Sequence, residues 1–333
     1  MDGMTATILR PGFLTTVQDL GRPGFRQSGV TSGGAVDSHA LRVANLLVGN
    51  NESDAGLEIT LWGLRIRFSD DRCIAWCGGA FEVTANGEFV PAGRACVLRA
   101  GDELSFGGAV PGCRAWLAVS GGIDVPFVLG SRSTDLRGGF GGLGGRALRE
   151  GDVLSLGEHS AGARELIVRL HNSLSADWGA PSEWALPVPL IGEHILRVVR
   201  GSDWTRVSAA ALENFLGKPF TVSPDSDRMG ARLHGPDLEL TDKDLDLISE
   251  AVTPGTIQIP QGGQPILLLA DCQTIGGYPK LAHVITVDLP LAAQLRPGDR
   301  VRFNEVPLAE AHRRLIQRDE DLNRFRIGLS LHQ

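Results

Sequence analysis

Alternating apolar and polar positions recur in short runs along the chain and predict many strands. In CIAWCGG at residues 73–79, both alternating sets of positions are apolar or small, which is typical of a strand buried on both faces. The segments RAWLAVSGG at 114–122 and ELIVRL at 165–170 have the same pattern. We therefore predict strands in all three segments and a chain rich in short strands.

One motif occurs three times and marks the start of a strand. AGDELSFG begins at residue 100, EGDVLSLG at residue 150 and PGDRVRFN at residue 297. In each copy a Gly-Asp turn precedes an alternating segment, because both residues favour turn conformations. The third copy lies far from the first two, which favours two related β units in one chain.

Three helices are predicted from capping residues and apolar spacing. The first, at about 37–48, follows a polar capping residue and ends at a glycine. The second, at about 208–216, starts after a serine and ends before Gly-Lys-Pro. The third, at about 307–321, opens with a proline, a residue that suits the first turn of a helix.

A segment without periodicity separates these elements into two groups. Residues 171–195 are rich in Pro, Gly and Ser, as linkers often are. The 333 residues also suffice for two domains, since one domain takes roughly 150 residues. We predict an N-terminal domain at 5–180, a C-terminal domain at 195–323 and a linker at about 180–195.

Composition and charge exclude several classes of function. The net charge is -7 and no basic run occurs, so no nucleic-acid partner is expected. No apolar run reaches the length of a membrane span, and the first residues do not have the pattern of a secretory signal. The five cysteines are scattered without CxxC spacing, and the histidines are dispersed. We predict a cytoplasmic protein without a metal site.

A glycine-rich segment at 138–145, GGFGGLGG, contains the spacing GxGxxG. A dinucleotide-binding fingerprint requires a strand before this motif and a helix after it, whereas the following residues predict a turn and a strand. No GxxxxGK[ST] motif occurs, so no Walker-type nucleotide site is expected in this chain. The backbone amides of the glycine-rich loop remain candidates for holding an anion.

Two polar segments in the N-terminal half are candidates for ligand binding. The segment 16–37 is too polar and too rich in glycine to be core, and SRSTD at 131–135 is a second compact cluster. In an alternative interpretation the same side chains only fix the backbone of long loops. The candidate residues for binding a substrate or an anion are Gln18, Asp19, Arg22, Arg132 and Ser133.

PILLLADCQTIGGYPK at 265–280 changes abruptly from a core strand to polar chemistry. SPDSDRMGARLHG at 223–235 has the pattern of a strand that enters the core from a charged surface. A carboxylate at the end of a core strand costs several kcal/mol unless it is paired. Asp271 therefore requires a cation, and Arg228 and Lys280 are the candidates.

These two segments predict the rim of a pocket, with a plain surface loop as the alternative. Together they supply carboxylates, amides, a hydroxyl, a phenol and cations. The candidate catalytic residues are Asp227, Arg228, Asp271, Gln273, Thr274, Tyr278 and Lys280, and Gly276 and Gly277 are candidates for binding the substrate or an anion.

Several of these segments together resemble one known family. TVQDLGRPGFRQSGV, GSRSTD, SDRMGARLHG, PGTIQIPQGGQPILLLADCQTIGGYPKLAHV and LPLAAQLRPGDRVRF occur in this order. The chain resembles the C subunit of bacterial 5-oxoprolinase, formerly labelled allophanate hydrolase subunit 2. That family is similar to the carboxyltransferase domain of biotin-dependent urea carboxylase. The resemblance covers about residues 6–310.

The resemblance implies a fold and an activity. The fold would be mainly β, with two cyclophilin-like β-barrel domains and a few short helices. The activity would be the ATP-dependent opening of 5-oxoproline to glutamate, performed in a complex with the B and A subunits, of which the B subunit pairs directly with this chain. Because the chain has no Walker motif, ATP would bind without one or at the joint with the B subunit.

Two other functions stay open. The first is a biotin-dependent carboxyltransferase acting on urea or a similar amide; biotin would then arrive on a separate carrier, since no AMKM-type motif is present. The motif DCQTIGGYPK at 271–280 favours the oxoprolinase branch over this one. The second is a non-catalytic regulatory partner of a kinase inhibitor that resembles the B subunit.

Overall fold

The chain divides into two compact units. The computed structural model describes residues 3–170, 173, 175–187, 193–241 and 247–330. The described residues of Met1–Arg22, Gly33–Val188 and Asp321–Gln333 form the first unit, and those of Pro23–Ser32 and Pro189–Glu320 form the second. The predicted linker contains residues 188–192, which lie outside the described residues, so the predicted domain limits stay a prediction.

Strands dominate both units and confirm the prediction of a mainly β fold. The first unit contains β1 (Thr5–Pro11), β2 (Leu14–Gln18), β3 (Gly56–Thr60), β4 (Leu64–Phe68), β5 (Arg72–Gly78), β6 (Phe81–Ala85), β7 (Glu88–Phe89), β8 (Cys96–Leu98), β9 (Glu103–Ala109), β10 (Arg114–Val119) and β11 (Val153–Ser155). The second contains β12 (His194–Arg200), β13 (Phe220–Val222), β14 (Gly230–His234), β15 (Glu250–Ala251), β16 (Thr256–Gln258), β17 (Ile266–Leu268), β18 (Ile275–Gly276), β19 (Lys280–Val284) and β20 (Arg300–Glu305).

The first unit holds two sheets around an apolar core. One sheet has the order β11-β1-β4-β9-β6-β7 and the other the order β2-β3-β10-β5-β8. The predicted strands at 73–79 and 114–122 are β5 and β10, and both are buried along their whole length. In the core, Trp76 donates from its indole nitrogen to the carbonyl of Val90 at 3.1 Å and packs edge-on against Phe106.

The second unit is built on a closed barrel with the order β12-β19-β16-β17-β14-β13-β20. Ala231 pairs with Leu267, which pairs with Ile257, and all three side chains are buried. Since neighbouring residues of a strand point to opposite faces, Arg232, Ile266 and Gln258 form a parallel row on the outer face. A separate two-stranded ladder pairs β15 with β18.

The repeated Gly-Asp motif folds in the same way in all three copies. Gly101, Gly151 and Gly298 have φ values of 90°, 83° and 92°, in the left-handed region that glycine adopts without strain. In each turn the aspartate accepts a hydrogen bond from the backbone amide three residues earlier, at 2.7, 2.7 and 3.0 Å. The turns precede β9, β11 and β20, as predicted.

The helices differ from the prediction in number and length. ELIVRL at 165–170 was predicted as a strand, but most of it lies in a helix whose N-terminus is capped by Ser160. Only Ala163 and Leu166 of that helix are buried, and their separation of three residues is about one helical turn. This spacing could not be recognised from ELIVRL alone, because that segment starts after Ala163. The helices are α1 (Ser38–Leu47), α2 (Ala161–Arg169), α3 (Ser182–Ala185), α4 (Ala209–Gly217), α5 (Leu289–Ala293) and α6 (Leu308–Ser330).

Three of these helices match predicted ones, and three were missed. α1 and α4 agree with the prediction within two residues, whereas α6 continues well past residue 321. The prediction that helices are confined to three segments is wrong, because α2, α3 and α5 also form. Within the described part of the chain, no helix combines the length and the apolar character needed to cross a membrane.

Candidate functional site

The segment 271–280 covers part of the outer face of the barrel. β18 within it pairs with β15, so that Gly276 lies opposite Glu250. The guanidinium of Arg26 donates to the backbone carbonyl of Val252 and, at 3.4 and 3.5 Å, to those of Gln273 and Thr274. A residue from far earlier in the chain therefore holds this segment in place.

Asp271 and Arg228 form the ion pair that the sequence requires. The guanidinium donates to both carboxylate oxygens, at 2.8 and 3.0 Å, and the two side chains are 12% and 5% exposed. The backbone amide of Asp271 also donates to the carbonyl of Arg228 at 3.0 Å. A bidentate pair in this setting joins the segments 223–235 and 271–280 firmly.

Two glutamine side chains form an amide pair next to this junction. Gln273 donates to the side-chain oxygen of Gln258 at 3.3 Å, and Gln258 donates to the backbone carbonyl of Tyr278 at 3.3 Å. A Cβ atom at Gly276 would lie only 2.8 Å from the side-chain nitrogen of Gln258. The absence of a side chain at this glycine therefore makes room for the amide pair.

A cavity of about 260 Å³ opens over this outer face. The apolar side chains of β17 contribute to its wall, together with an amide pair, a phenol, a carboxylate and a cation. Asp227 accepts hydrogen bonds from the amides of Met229 and Gly230 at 2.7 and 3.2 Å. The lining includes Asp227, Arg232, Gln258, Ile266, Gln273 and Tyr278.

A second cavity, of about 410 Å³, contains both glycines of the motif. The ammonium of Lys280 contacts the carboxylate of Glu250, and their side chains are 10% and 63% exposed. Arg206 pairs with Asp203 at 3.1 Å. The cations of this cavity are thus matched by carboxylates. Its lining includes Asp203, Arg206, Glu250, Gly276, Gly277 and Lys280.

Tyr278 lines both cavities and is 47% exposed. It is the only tyrosine of the chain. Among the predicted catalytic residues, Tyr278 is the one that appears in the described walls of both cavities. Asp271, Arg228 and Thr274 are not in the described walls of these two cavities.

The candidate residues of the first unit form a hydrogen-bonded network centred on Asp19 instead. Asp19 accepts hydrogen bonds from the hydroxyls of Ser131 and Ser133 at 2.6 and 2.5 Å, and from the amides of Gly21 and Arg132 at 2.7 and 2.6 Å. All four bonds lie within the first unit. They favour the interpretation in which these polar side chains fix loops.

Arg22, Gln18 and Arg132 complete this network. Arg22 is fully buried, donates to the carbonyl of Ser133 and lies over the ring of Phe140 at 4.9 Å. Gln18 donates to the carbonyl of Thr134 at 3.2 Å, but its buried side-chain oxygen accepts no hydrogen bond from the described residues. Arg132 pairs with Asp124 at 2.6 Å. A role of these residues in binding a substrate or an anion stays a prediction.

Several residues of the site were not predicted from the sequence. Gln258 lies in an ordinary strand, Glu250 follows residues with no recognisable motif, and Arg26 was noticed only as part of a long polar segment. Arg232 was noted in its strand but not chosen as a site residue. The one sequence signal for Arg232 was the alternation of its strand, because an arginine between two apolar residues is expected on the outer face of the barrel. In the structure Arg232 is exposed between the buried Ala231 and Leu233.

The thiol and metal chemistry of the site is limited. Cys272 is buried, and burial raises the pKa of its thiol to about 11, although the nearby Arg26 opposes this shift. It is therefore protonated at neutral pH. Among the residues that the structure describes, no group of three or more His, Cys, Asp or Glu side chains is arranged to hold a metal ion.

Comparison with known proteins defines the class to which this fold and site belong. The chain belongs to the family described as carboxyltransferase domain, subdomain A and B, whose model matches residues 28–305. In the solved urea carboxylase of Kluyveromyces lactis, a region 30% identical to this chain has the same fold with a TM-score of 0.87. The match covers 98% of this chain and only 29% of that protein.

Two relatives match this chain along most of their own length, and both are 5-oxoprolinase C subunits. The 5-oxoprolinase C subunit of Escherichia coli is 40% identical over 91% of this chain and 92% of its own length. The C subunit of the Haemophilus influenzae enzyme is 36% identical over 89% of each chain. Urea amidolyase of Lachancea kluyveri is 32% identical, but this chain spans only 17% of it. These matches confirm the predicted resemblance.

Proposed function

We propose that this chain is the C subunit of an ATP-dependent 5-oxoprolinase and that it acts in a complex with the B and A subunits. The observation that carries this proposal is the 40% identity with the E. coli protein along nearly the full length of both chains. The two cavities at the segment 271–280 support it, because they collect amide, phenol, carboxylate and cationic groups around one motif.

The reaction opens a cyclic amide, whose carbonyl must be polarised before water attacks. Preorganised donors at a developing oxyanion contribute roughly 3–4 kcal/mol each in enzymes. In the proposed site Tyr278 is such a donor, because it is the residue that lines both cavities and it carries a hydroxyl. Lys280 lies in the second cavity with Glu250, and Asp271 and Arg228 keep the segment in its active shape.

In this proposal ATP binds to the complete complex and not to this chain alone. Phosphates need cations or a cradle of backbone amides. Arg206 and Lys280 of the second cavity are already paired with Asp203 and Glu250 in the described part of the chain. We therefore assign most of the nucleotide site to the A and B subunits, with this chain completing it at the joint.

The decisive experiment combines the purified chain with the B and A subunits encoded in the same organism. We expect co-elution with the B subunit at micromolar concentration and 5-oxoproline-dependent release of ADP and glutamate by the complete mixture. Omission of any one of the three proteins should abolish this turnover. A complex that forms with the B subunit but never turns over 5-oxoproline would instead support the regulatory alternative.

A biotin-dependent carboxyltransferase is the second candidate function. It is favoured by the family description and by the TM-score of 0.87 with a urea carboxylase. In that case the chain should transfer a carboxyl group from carboxybiotin to urea. The transfer of labelled carboxylate to urea, measured without ATP, separates the two functions, since the oxoprolinase proposal predicts no such transfer.

A further inference from the structure

We propose that the 260 Å³ cavity recognises a small cyclic amide that carries a carboxylate, and that Arg232 binds the carboxylate. This inference rests on the proposed function, which supplies 5-oxoproline as a ligand of this class. It adds the binding site within this chain and the residues that select the ligand. Arg232 is a binding residue here and not a catalytic one.

The guanidinium of Arg232 is available for a ligand. Of the other arginines at the site, Arg228 and Arg206 are paired with Asp271 and Asp203, and Arg26 donates to backbone carbonyls of the segment. The side chain of Arg232 makes no hydrogen bond or ion pair with any residue that the structure describes, although its backbone amide donates to Ser226 at 3.0 Å. An arginine in a cavity wall with its whole fork unused suits a bidentate bond to a carboxylate.

The amide pair of Gln258 and Gln273 has an unused donor and an unused acceptor, which are the two groups that a lactam requires. Gln258 uses one hydrogen of its side-chain amide for the carbonyl of Tyr278, so the other remains. The side-chain oxygen of Gln273 accepts no hydrogen bond from the described residues. A ring lactam presents its N–H and C=O on the same side. One remaining donor and one remaining acceptor therefore match that edge.

Strand register sets the distance between these two recognition elements. Arg232 and Gln258 both pair with Ile266, one from each side, so they lie two strands apart. Adjacent strands are about 4.8 Å apart, which places the two backbones roughly 10 Å from each other. Ile266 and Leu268 lie between them and provide an apolar surface for the ring methylenes.

The one carboxylate in the cavity wall does not oppose this arrangement. Asp227 turns one oxygen toward the amides of Met229 and Gly230, which offset its negative charge. Arg232 therefore gives the cavity a cation that is not neutralised by an ion pair with any described residue. A neutral lactam without a carboxylate would leave this cation unused, and a carboxylate without a lactam would leave the amide edge unused.

The test measures ligand binding to the reconstituted complex by equilibrium dialysis. Three probes are compared: 5-oxoproline, 2-pyrrolidinone, which lacks the carboxylate, and cyclopentanecarboxylate, which lacks the lactam. We expect 5-oxoproline to bind at least tenfold more tightly than either analogue. Arg232→Gln should weaken 5-oxoproline binding tenfold to a hundredfold and leave 2-pyrrolidinone binding unchanged, and Arg232→Lys should retain part of the affinity.

His234→Gln provides the matched control. His234 is the next outward position on the same strand, is exposed, and does not line the cavity. This variant should bind all three probes like the wild type. Equal 5-oxoproline affinity of Arg232→Gln and wild type, or equal wild-type affinity for all three probes, would overturn the inference.

The same samples separate this inference from the proposed function. If the wild-type complex turns over 5-oxoproline and Arg232→Gln keeps the wild-type KM, the function stands and the site is wrong. If 5-oxoproline binds in an Arg232-dependent way but no ATP-coupled turnover occurs, the site stands and the function is wrong. The single tyrosine offers an independent readout, since labelling only this chain at the ε carbons of its tyrosine gives one NMR signal, which a ligand in this cavity should shift.

Discussion

Two polar clusters that look alike in the sequence behave differently in the structure. In the first unit, Asp19 is 5% exposed and both of its carboxylate oxygens are occupied by donors from its own loops. In the second unit, Arg232, Gln258 and Gln273 line a cavity and keep donors or acceptors that no described residue uses. The first cluster and the wall of this cavity both contain acids, amides and arginines.

Unused hydrogen-bonding capacity, and not residue type, therefore separates a binding site from a loop support. A polar group with all of its hydrogen bonds made within the protein has no reason to leave them for a ligand. The pair of Asp271 and Arg228 belongs to the first kind although it lies beside the cavity, because each side chain satisfies the other.

Asp19→Ala should have the largest effect, and only on stability. The change leaves two buried hydroxyls and two amides without their acceptor, and each unsatisfied buried group costs about 1–3 kcal/mol. Allowing for rotation of the hydroxyls, we expect a loss of about 3–5 kcal/mol in the free energy of unfolding, measured with urea. Asp19→Asn, which keeps one acceptor oxygen, should lose less. A loss below about 1 kcal/mol would show that the network does not hold the loops.

Tyr278→Phe should have the opposite profile. The residue is 47% exposed, so the free energy of unfolding should change by no more than about 0.5 kcal/mol. Turnover of 5-oxoproline by the reconstituted complex should fall at least tenfold, which corresponds to about 1.4 kcal/mol of barrier. The phenylalanine keeps the ring, so this variant removes only the hydroxyl. If Tyr278→Phe has the same turnover as the wild type, the segment 271–280 is better interpreted as a plain surface loop.

The paired variants Gly276→Ala and Gly277→Ala test the amide edge. A methyl group at residue 276 would lie 2.8 Å from the Gln258 side chain, whereas at residue 277 the nearest atoms are 3.4 Å away. The crowded atom is the far end of a flexible side chain, so Gln258 can move away at little cost in stability but must then leave its place in the amide pair. We expect Gly276→Ala to raise the KM for 5-oxoproline several-fold with a small loss of stability.

Gly277→Ala is the matched control, because its Cβ would make only ordinary contacts and its φ is not in the left-handed region. Its KM and its stability should equal those of the wild type. Similar KM values for the two variants would show that the amide pair does not position the ligand.

Local features of the site could be predicted from the sequence, and its long-range contacts could not. The abrupt change after the core strand indicated a rim, and the cost of an unpaired buried carboxylate indicated a cation for Asp271. Arg26 and Glu250 were not predicted as site residues, because their contacts with this segment depend on how distant parts of the chain meet. Gln258 was not predicted as a site residue, because a glutamine within a strand belongs to no motif with a recognisable spacing.

The fold shows the same limit. Gly-Asp turns and capped helices are set by neighbouring residues, and these predictions were confirmed. ELIVRL failed because its apolar residues fit both a strand and a helix, and only the capping serine five residues earlier decides for the helix. The saturation of Asp19 also requires serines from a segment more than a hundred residues away.

The smallest expected effect concerns His283, which lies on β19 beside the site. Burial, and then the charge of Lys280, lowers the pKa of its imidazole below the ordinary value of 6.5. Below pH 6.5 the unfolded chain therefore binds more protons at this residue than the folded chain does. Its contribution to stability is complete above pH 6.5 and is lost as the pH falls through the lowered pKa. His283→Gln should make the free energy of unfolding less dependent on pH below 6.5. His159→Gln provides a parallel case in the first unit, because burial lowers the pKa of that histidine as well. An unchanged pH dependence in His283→Gln, measured by urea unfolding at several pH values, would show that this histidine titrates alike in both states.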